Sequence, residues 1–195
     1  MDAMLVVGSP EQTETALVAG EIPYPDCSAP LRPHGHARTH TVRSVGQERL
    51  TVQPRRARCS GCRRTQVMFP ASLSFRRADS VEVIGTALAA KAGGQGHRTI
   101  AAMLGRPVST VRRWLRRVPE THVRWLHEQA VMHAFRLNPE MLAGLKQWPS
   151  LLGRSPNILA GAALANRQRV DPGMPLWISI GYFTRGNLLS PPLPT

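Results

Sequence analysis

The stretch from His97 to Arg117, HRTIAAMLGRPVSTVRRWLRR, leaves this chain little conformational freedom. Two short helical runs flank Gly105-Arg106-Pro107, so they must turn sharply instead of continuing as one helix. A steeply crossing helix pair needs a small residue at its contact, and Ala101 supplies it. Gly105, directly after Leu104, supplies the positive φ that ends the first helix. Ser109 is placed to cap the second helix, with Thr110 opening it. Ile100, Leu104, Val108, Val111, Trp114 and Leu115 then recur at inward-facing helical spacing. The pattern is that of a helix-turn-helix. The opposite side of the second helix carries Ser109, Arg112, Arg113 and Arg116. A helix with such a face free enters a DNA major groove and reaches base edges, while its amino end favours phosphate. Arg98, Thr99 and Arg117 lie at the margins, where they suit backbone phosphates, contacts that position without specifying. The competing reading is a helical hairpin whose arginines are merely solvated. The small residue, the glycine and the inward tryptophan at compatible offsets favour the first.

Charge points the same way. The net charge is +13, unevenly spread. Residues 1–29 hold five acids and no Lys or Arg, for −5. Residues 30–118 hold 18 basic residues against three acids, for +15, and residues 119–195 hold seven against four, for +3. A basic block this concentrated attracts a phosphate backbone and releases its counterions. Arginines make up 23 of the 25 basic residues, which also fits an Arg-favouring codon usage and a merely solvated surface.

Aromatic residues are 5% of the chain, and 16 Gly and 17 Pro interrupt it, so small modules in series are expected. Met4 to Val7 reads as a short strand. Ser9-Pro10-Glu11-Gln12 carries the marks of a helix start, with the helix running to Ala19 and stopping at Gly20. Thr39–Val45 and Arg49–Arg58 alternate β-branched and polar residues around Gly46-Gln47-Glu48, a hairpin, with Pro54 marking an edge or bulge. Thr65–Phe69 suits a third strand, and Asp79–Ala92 and Glu120–Leu137 suit helices. The expected class is α+β: a small three-stranded zinc-ribbon-like module, a mainly helical helix-turn-helix domain and an irregular helical tail. The expected boundaries are residues 1–21 for the first strand and helix, 22–72 for the ribbon, 79–118 for the DNA-binding domain and 119–195 for a helical region of unknown role.

Cys59-Ser-Gly-Cys62 has the spacing of a zinc knuckle, a tight turn aiming two thiolates at one tetrahedral metal. Cys27 sits upstream where a second knuckle belongs, but the expected partner three residues earlier is Tyr24. A phenol is a poor ligand at neutral pH because it stays protonated. One structural zinc on Cys27, Cys59 and Cys62, completed by His34, His36 or water, and a metal-free ribbon are both compatible with these residues. Three cysteines with one such pair fit metal chemistry in a reducing compartment better than a disulfide framework.

These residues also carry a resemblance. The knuckles, Gly35-His-Ala-Arg38, Arg55-Arg-Ala-Arg-Cys59, Arg76-Arg-Ala-Asp79, Glu82-Val-Ile-Gly85, Gly96-His-Arg-Thr-Ile-Ala101 and Ser109-Thr-Val-Arg-Arg-Trp-Leu115 resemble an uncharacterised bacterial family, domain of unknown function 6431. Its members look like the zinc-ribbon and helix-turn-helix front end of insertion-sequence transposases. The resemblance covers about half the chain and implies a cysteine at the Tyr24 position, from which this chain departs. It implies a DNA-binding role linked to mobile elements.

Catalysis is not expected. A metal-dependent transposase needs three acids on an RNase-H-like domain, and after the helix-turn-helix only Glu120, Glu128, Glu140 and Asp171 remain, in proline-broken sequence. The expected partners are double-stranded DNA and either a transposase or a second copy, with no membrane and no small-molecule substrate. No secretory signal and no apolar run of about 20 residues is visible, so a cytoplasmic, nucleoid-associated location is expected. The functional alternative is a zinc-ribbon adaptor that binds a transposase or polymerase subunit and has little DNA affinity.

Overall fold

A computed structural model describes residues 5–116, 118–143 and 150–189. They form a β module and a helical domain, each around its own core. The class is α+β, as the sequence suggests.

The β module begins with β1 (Leu5–Val7) and α1 (Pro10–Ala19). The Ser9 side chain accepts from the Gln12 amide at 3.4 Å, and Gly20 closes the helix at φ 75°. There follow β2 (Leu31–His36), β3 (His40–Arg43), β4 (Arg49–Val52), β5 (Arg55–Cys59) and β6 (Thr65–Pro70). The sheet order is β1-β6-β5-β2, with β1 parallel to β6 and the other pairs antiparallel. Leu17, Tyr24, Leu31, Ala57, Cys59 and Met68 pack together on it. Residues 5–21 therefore do not precede the module as a separate unit: β1 is an edge strand of its sheet, and Leu17 is fully buried in its core. Met4 lies outside the described residues.

The expected hairpin forms, with β3 and β4 paired from His40↔Val52 to Arg43↔Arg49 and Gly46 at φ 63° in the turn. It is a sheet of its own. The run expected from Arg49 to Arg58 divides at the buried Pro54, whose missing N–H ends one ladder before β5 starts another. Sequence periodicity gave no sign of β2, whose Pro33 and Gly35 are poor strand formers; it survives as the sheet's edge, where a missing donor is tolerated.

The helical domain contains α2 (Val81–Ala92), α3 (His97–Leu104), α4 (Val108–Arg116), α5 (Glu120–Leu137), α6 (Glu140–Ala143), α7 (Leu151–Arg169) and α8 (Leu176–Phe183). Ser80 caps α2 through the Val83 amide. The core joins Ile84 and Leu88 of α2, Ile100 of α3, Val111 and Trp114 of α4, Leu126 and Ala130 of α5, Ile158 and Ala162 of α7, and Ile180 and Phe183 of α8. The helices after residue 119 thus complete the core on which the helix-turn-helix rests. Fully buried alanines (Ala130, Ala134, Ala162, Ala163) let α5 and α7 approach closely. Gly85 lies against Trp177, where an added Cβ would come within 2.1 Å of the ring, so α8 is seated directly on α2. α7 runs from Leu151 through Pro156 without a break.

Candidate DNA interface and cysteine cluster

The helix-turn-helix is built as its residues require. Gly105 ends α3 at φ 60°, and its amide donates to the Ala102 carbonyl at 3.2 Å. Ile100, Ala101, Val111 and Trp114 are buried between the helices, and Leu104 and Leu115 are half-buried beside them. The start of α4 differs from the sequence reading. The helix opens at Val108, and the Pro107 carbonyl accepts from the Thr110 and Val111 amides, so Ser109 lies inside the first turn and not at the cap. With the helix begun early, Val108 faces outward and is 44% exposed.

Arg98, Thr99, Ser109, Arg112, Arg113 and Arg116 are all exposed, and Thr110 is half-exposed. Arg117 lies outside the described residues. Among the described residues no carboxylate stands within ion-pair distance of Arg112, Arg113 or Arg116. From Val111 onward, the buried and cationic sides of α4 are thus segregated. Three guanidiniums on one side of a nine-residue helix, with their counter-charges left to solvent, make a surface suited to phosphate and guanine.

Arg106, in the turn, behaves quite differently. Its side chain is 5% exposed, and its Nε donates to Asp79 Oδ1 at 2.8 Å. Its remaining N–H groups reach the carbonyls of Ser44, Gly46 and Leu104. Arg43 Nη2 donates to the other Asp79 oxygen at 2.7 Å. One buried carboxylate therefore holds two guanidiniums, and the group fastens the β3–β4 hairpin to the turn between α3 and α4. Sequence reasoning missed this. Asp79 lies 36 residues from Arg43 and 27 from Arg106, and no local pattern announces such a pairing.

The three cysteines converge. Their sulfurs lie within 4.8 Å of one another, Cys27 and Cys59 at 3.3 Å. Two matching turns aim them. The Tyr24 amide donates to the Ala29 carbonyl and the Cys59 amide to the Arg64 carbonyl, each reaching five residues ahead. Each turn also has a left-handed residue just after its last cysteine, Ser28 at φ 58° and Arg63 at φ 64°. A knuckle with tyrosine in its first position has kept its fold. Burial favours the protonated Tyr24 phenol and raises its pKa, so it offers no phenolate. Burial opposes ionisation of Cys59 as well, but hydrogen bonds from the Cys27 thiol and the Cys62 and Gly61 amides outweigh it and bring the thiol to about 7. Thiolates about 2.3 Å from a tetrahedral zinc stand roughly 3.8 Å apart, so this spacing fits three ligands of such an ion.

His36 is not the fourth ligand. Leu31 stands opposite Cys59 in the β2–β5 ladder and His36 opposite Arg55, four residues along β5, so His36 lies roughly 13 Å down the sheet from Cys59. His34 is likewise outside the cluster. Closeness to Cys27 along the chain is undone by the direction in which β2 leaves the knuckle.

α2 followed by the α3–α4 pair, turned at Gly105, makes a helix-turn-helix, a class of DNA-binding fold. A family model described as a homeodomain-like domain matches residues 80–121, which hold α2, α3, α4 and the first residues of α5. No curated protein and no solved structure matches the chain. Among the described residues no helix is long and apolar enough to cross a membrane.

Proposed function

We propose that this chain is a sequence-dependent, non-catalytic binder of double-stranded DNA, with α4 lying in the major groove. Arg112, Arg113, Arg116 and Ser109 face the bases, and Arg98, Thr99 and Arg117 the flanking phosphates. The observation that carries this reading is the segregation on α4, with Val111 and Trp114 fully inside and three arginines outside without an acidic partner among the described residues. The homeodomain-like match over residues 80–121 supports the same use. The biological setting we propose is that of a mobile-element accessory protein or a transcriptional regulator in the bacterial cytoplasm, within the family of unknown function that the sequence resembles. A transposase, or a second copy reading a second half-site, is the partner such a role requires.

The cysteine cluster enters as a structural zinc site in which Cys27, Cys59 and Cys62 supply three thiolates and water the fourth position. Zinc there would pin the two knuckles together and stabilise the β module. It has no part in contacting DNA.

Selection of bound sequences from a random duplex pool, with metal analysis of the same preparation, tests the proposal. Enrichment of a defined sequence element, lost in an Arg112/Arg113/Arg116 triple alanine variant, is expected, with close to one zinc per chain. No enrichment, together with co-purification of another protein, would favour an adaptor instead.

A further inference from the structure

The β3–β4 hairpin stands beside the helix-turn-helix, and its attachment is unusually definite. Arg106 hydrogen-bonds the Ser44 and Gly46 carbonyls at the tip, and the Arg43 amide donates to the Ala78 carbonyl while its carbonyl accepts from the Ser80 amide, both at about 2.8–2.9 Å. Arg106 is two residues before α4, a span of at most roughly 7 Å. Tip and helix start are therefore neighbours on the scale of a major groove about 12 Å wide.

The faces of the hairpin are unlike. Residues opposite each other in an antiparallel ladder share a side. Val42 and Leu50 share the inward side, with Val42 buried. Thr41 with Thr51, and Arg43 with Arg49, share the other. Thr41, Thr51 and Arg49 are exposed, as is Gln47 at the tip. Arg43 is neutralised by Asp79, whereas Arg49 has no acidic partner among the described residues. The Thr41 and Thr51 hydroxyls hydrogen-bond each other at 3.2 Å, which leaves one hydroxyl proton of the pair to join an amide and an uncompensated guanidinium as donors to phosphate oxygens.

We infer that this hairpin is a second DNA-contacting element. It grips the phosphate backbone flanking the groove that α4 enters, through Arg49, Gln47, Thr41 and Thr51, and the Arg43–Asp79–Arg106 group holds it in register with the helix. The inference rests on the α4 reading above. Glu48, also exposed, is the one acid of the hairpin and works against the contact.

The test measures affinity for a duplex of about three helical turns, roughly 30 base pairs, over a range of salt, in the full chain. Arg49→Glu is expected to weaken binding roughly tenfold and to flatten the salt dependence by about one counterion. Glu48→Gln is expected to strengthen it severalfold. Opposite directions from adjacent residues would not follow from loss of structure, and an unchanged melting profile of each variant checks that the fold is kept. If wild type binds, the α4 triple variant does not, and both hairpin variants bind like wild type with the same slope, the hairpin inference fails and the helix reading stands. If wild type shows no salt-dependent binding, the helix reading fails and takes the inference with it.

Discussion

Asp79 is the residue on which the joint between the two modules depends. It is 2% exposed and serves two cations, of which Arg43 retains contact with water and Arg106 does not. Removing one partner of a buried pair leaves the other charge unpaired, at a cost of about 3–5 kcal/mol. Asp79→Ala is therefore expected to lower stability by that amount in urea unfolding, and Asp79→Asn by less, since its oxygen still accepts from Arg106. A loss under about 1 kcal/mol for Asp79→Ala would show that Arg106 reaches water once released. Tyr24 is the second telling residue. It occupies a ligand position, yet its ring is 2% exposed in the core of the β module. Tyr24→Cys is expected to tighten zinc retention against a chelator by supplying a fourth thiolate. Retention no better than wild type would mean that the knuckle does not aim position 24 at the metal.

At the scale of elements, the helices up to α5 are legible in the sequence, and the four-stranded sheet and the later helices are not. Helix boundaries are written in neighbouring residues: Ser9 and Gly20 bracket α1, Gly105 stops α3, and Asn138-Pro139 follow α5. The turn, the buried Ala101 and the exposed arginines of α4 were readable for the same reason. The errors came where two local signals compete. Ser109 is a good capping residue, but Pro107 fixes the backbone one residue ahead of Val108 and the helix starts there. Strand pairing is non-local, so the parallel β1–β6 contact has no local signature; Pro54 marks the break between β4 and β5 but not that they join different sheets. His36 was misplaced through the same blindness, because its distance from the cysteines depends on which way β2 runs.

In the described residues both modules bear on the cationic side of α4, through the Arg106–Asp79 group and through the shared helical core. The acidic start is folded into the β module, where Glu14 pairs with Arg55 and Asp26 with Arg64, so part of its charge is spent inside the basic block. Residues that follow the helix-turn-helix supply much of its core, including Leu126, Ile158, Leu159, Ile180 and Phe183. A chain ending at Val118 is thus expected to expose that core and to aggregate or lack a cooperative melting transition; a soluble, cooperatively folded fragment would show that the later helices are dispensable. Contact between the outward side of α4 and DNA is what the reading stands on. The most direct measurement compares duplex affinity of wild type and the Arg112/Arg113/Arg116 triple alanine variant across salt concentrations. The expected result is a steep linear fall of log affinity with log salt for wild type, and a slope reduced by about two to three, with most of the affinity gone, in the variant. Equal affinity and equal slope for the two proteins would contradict it.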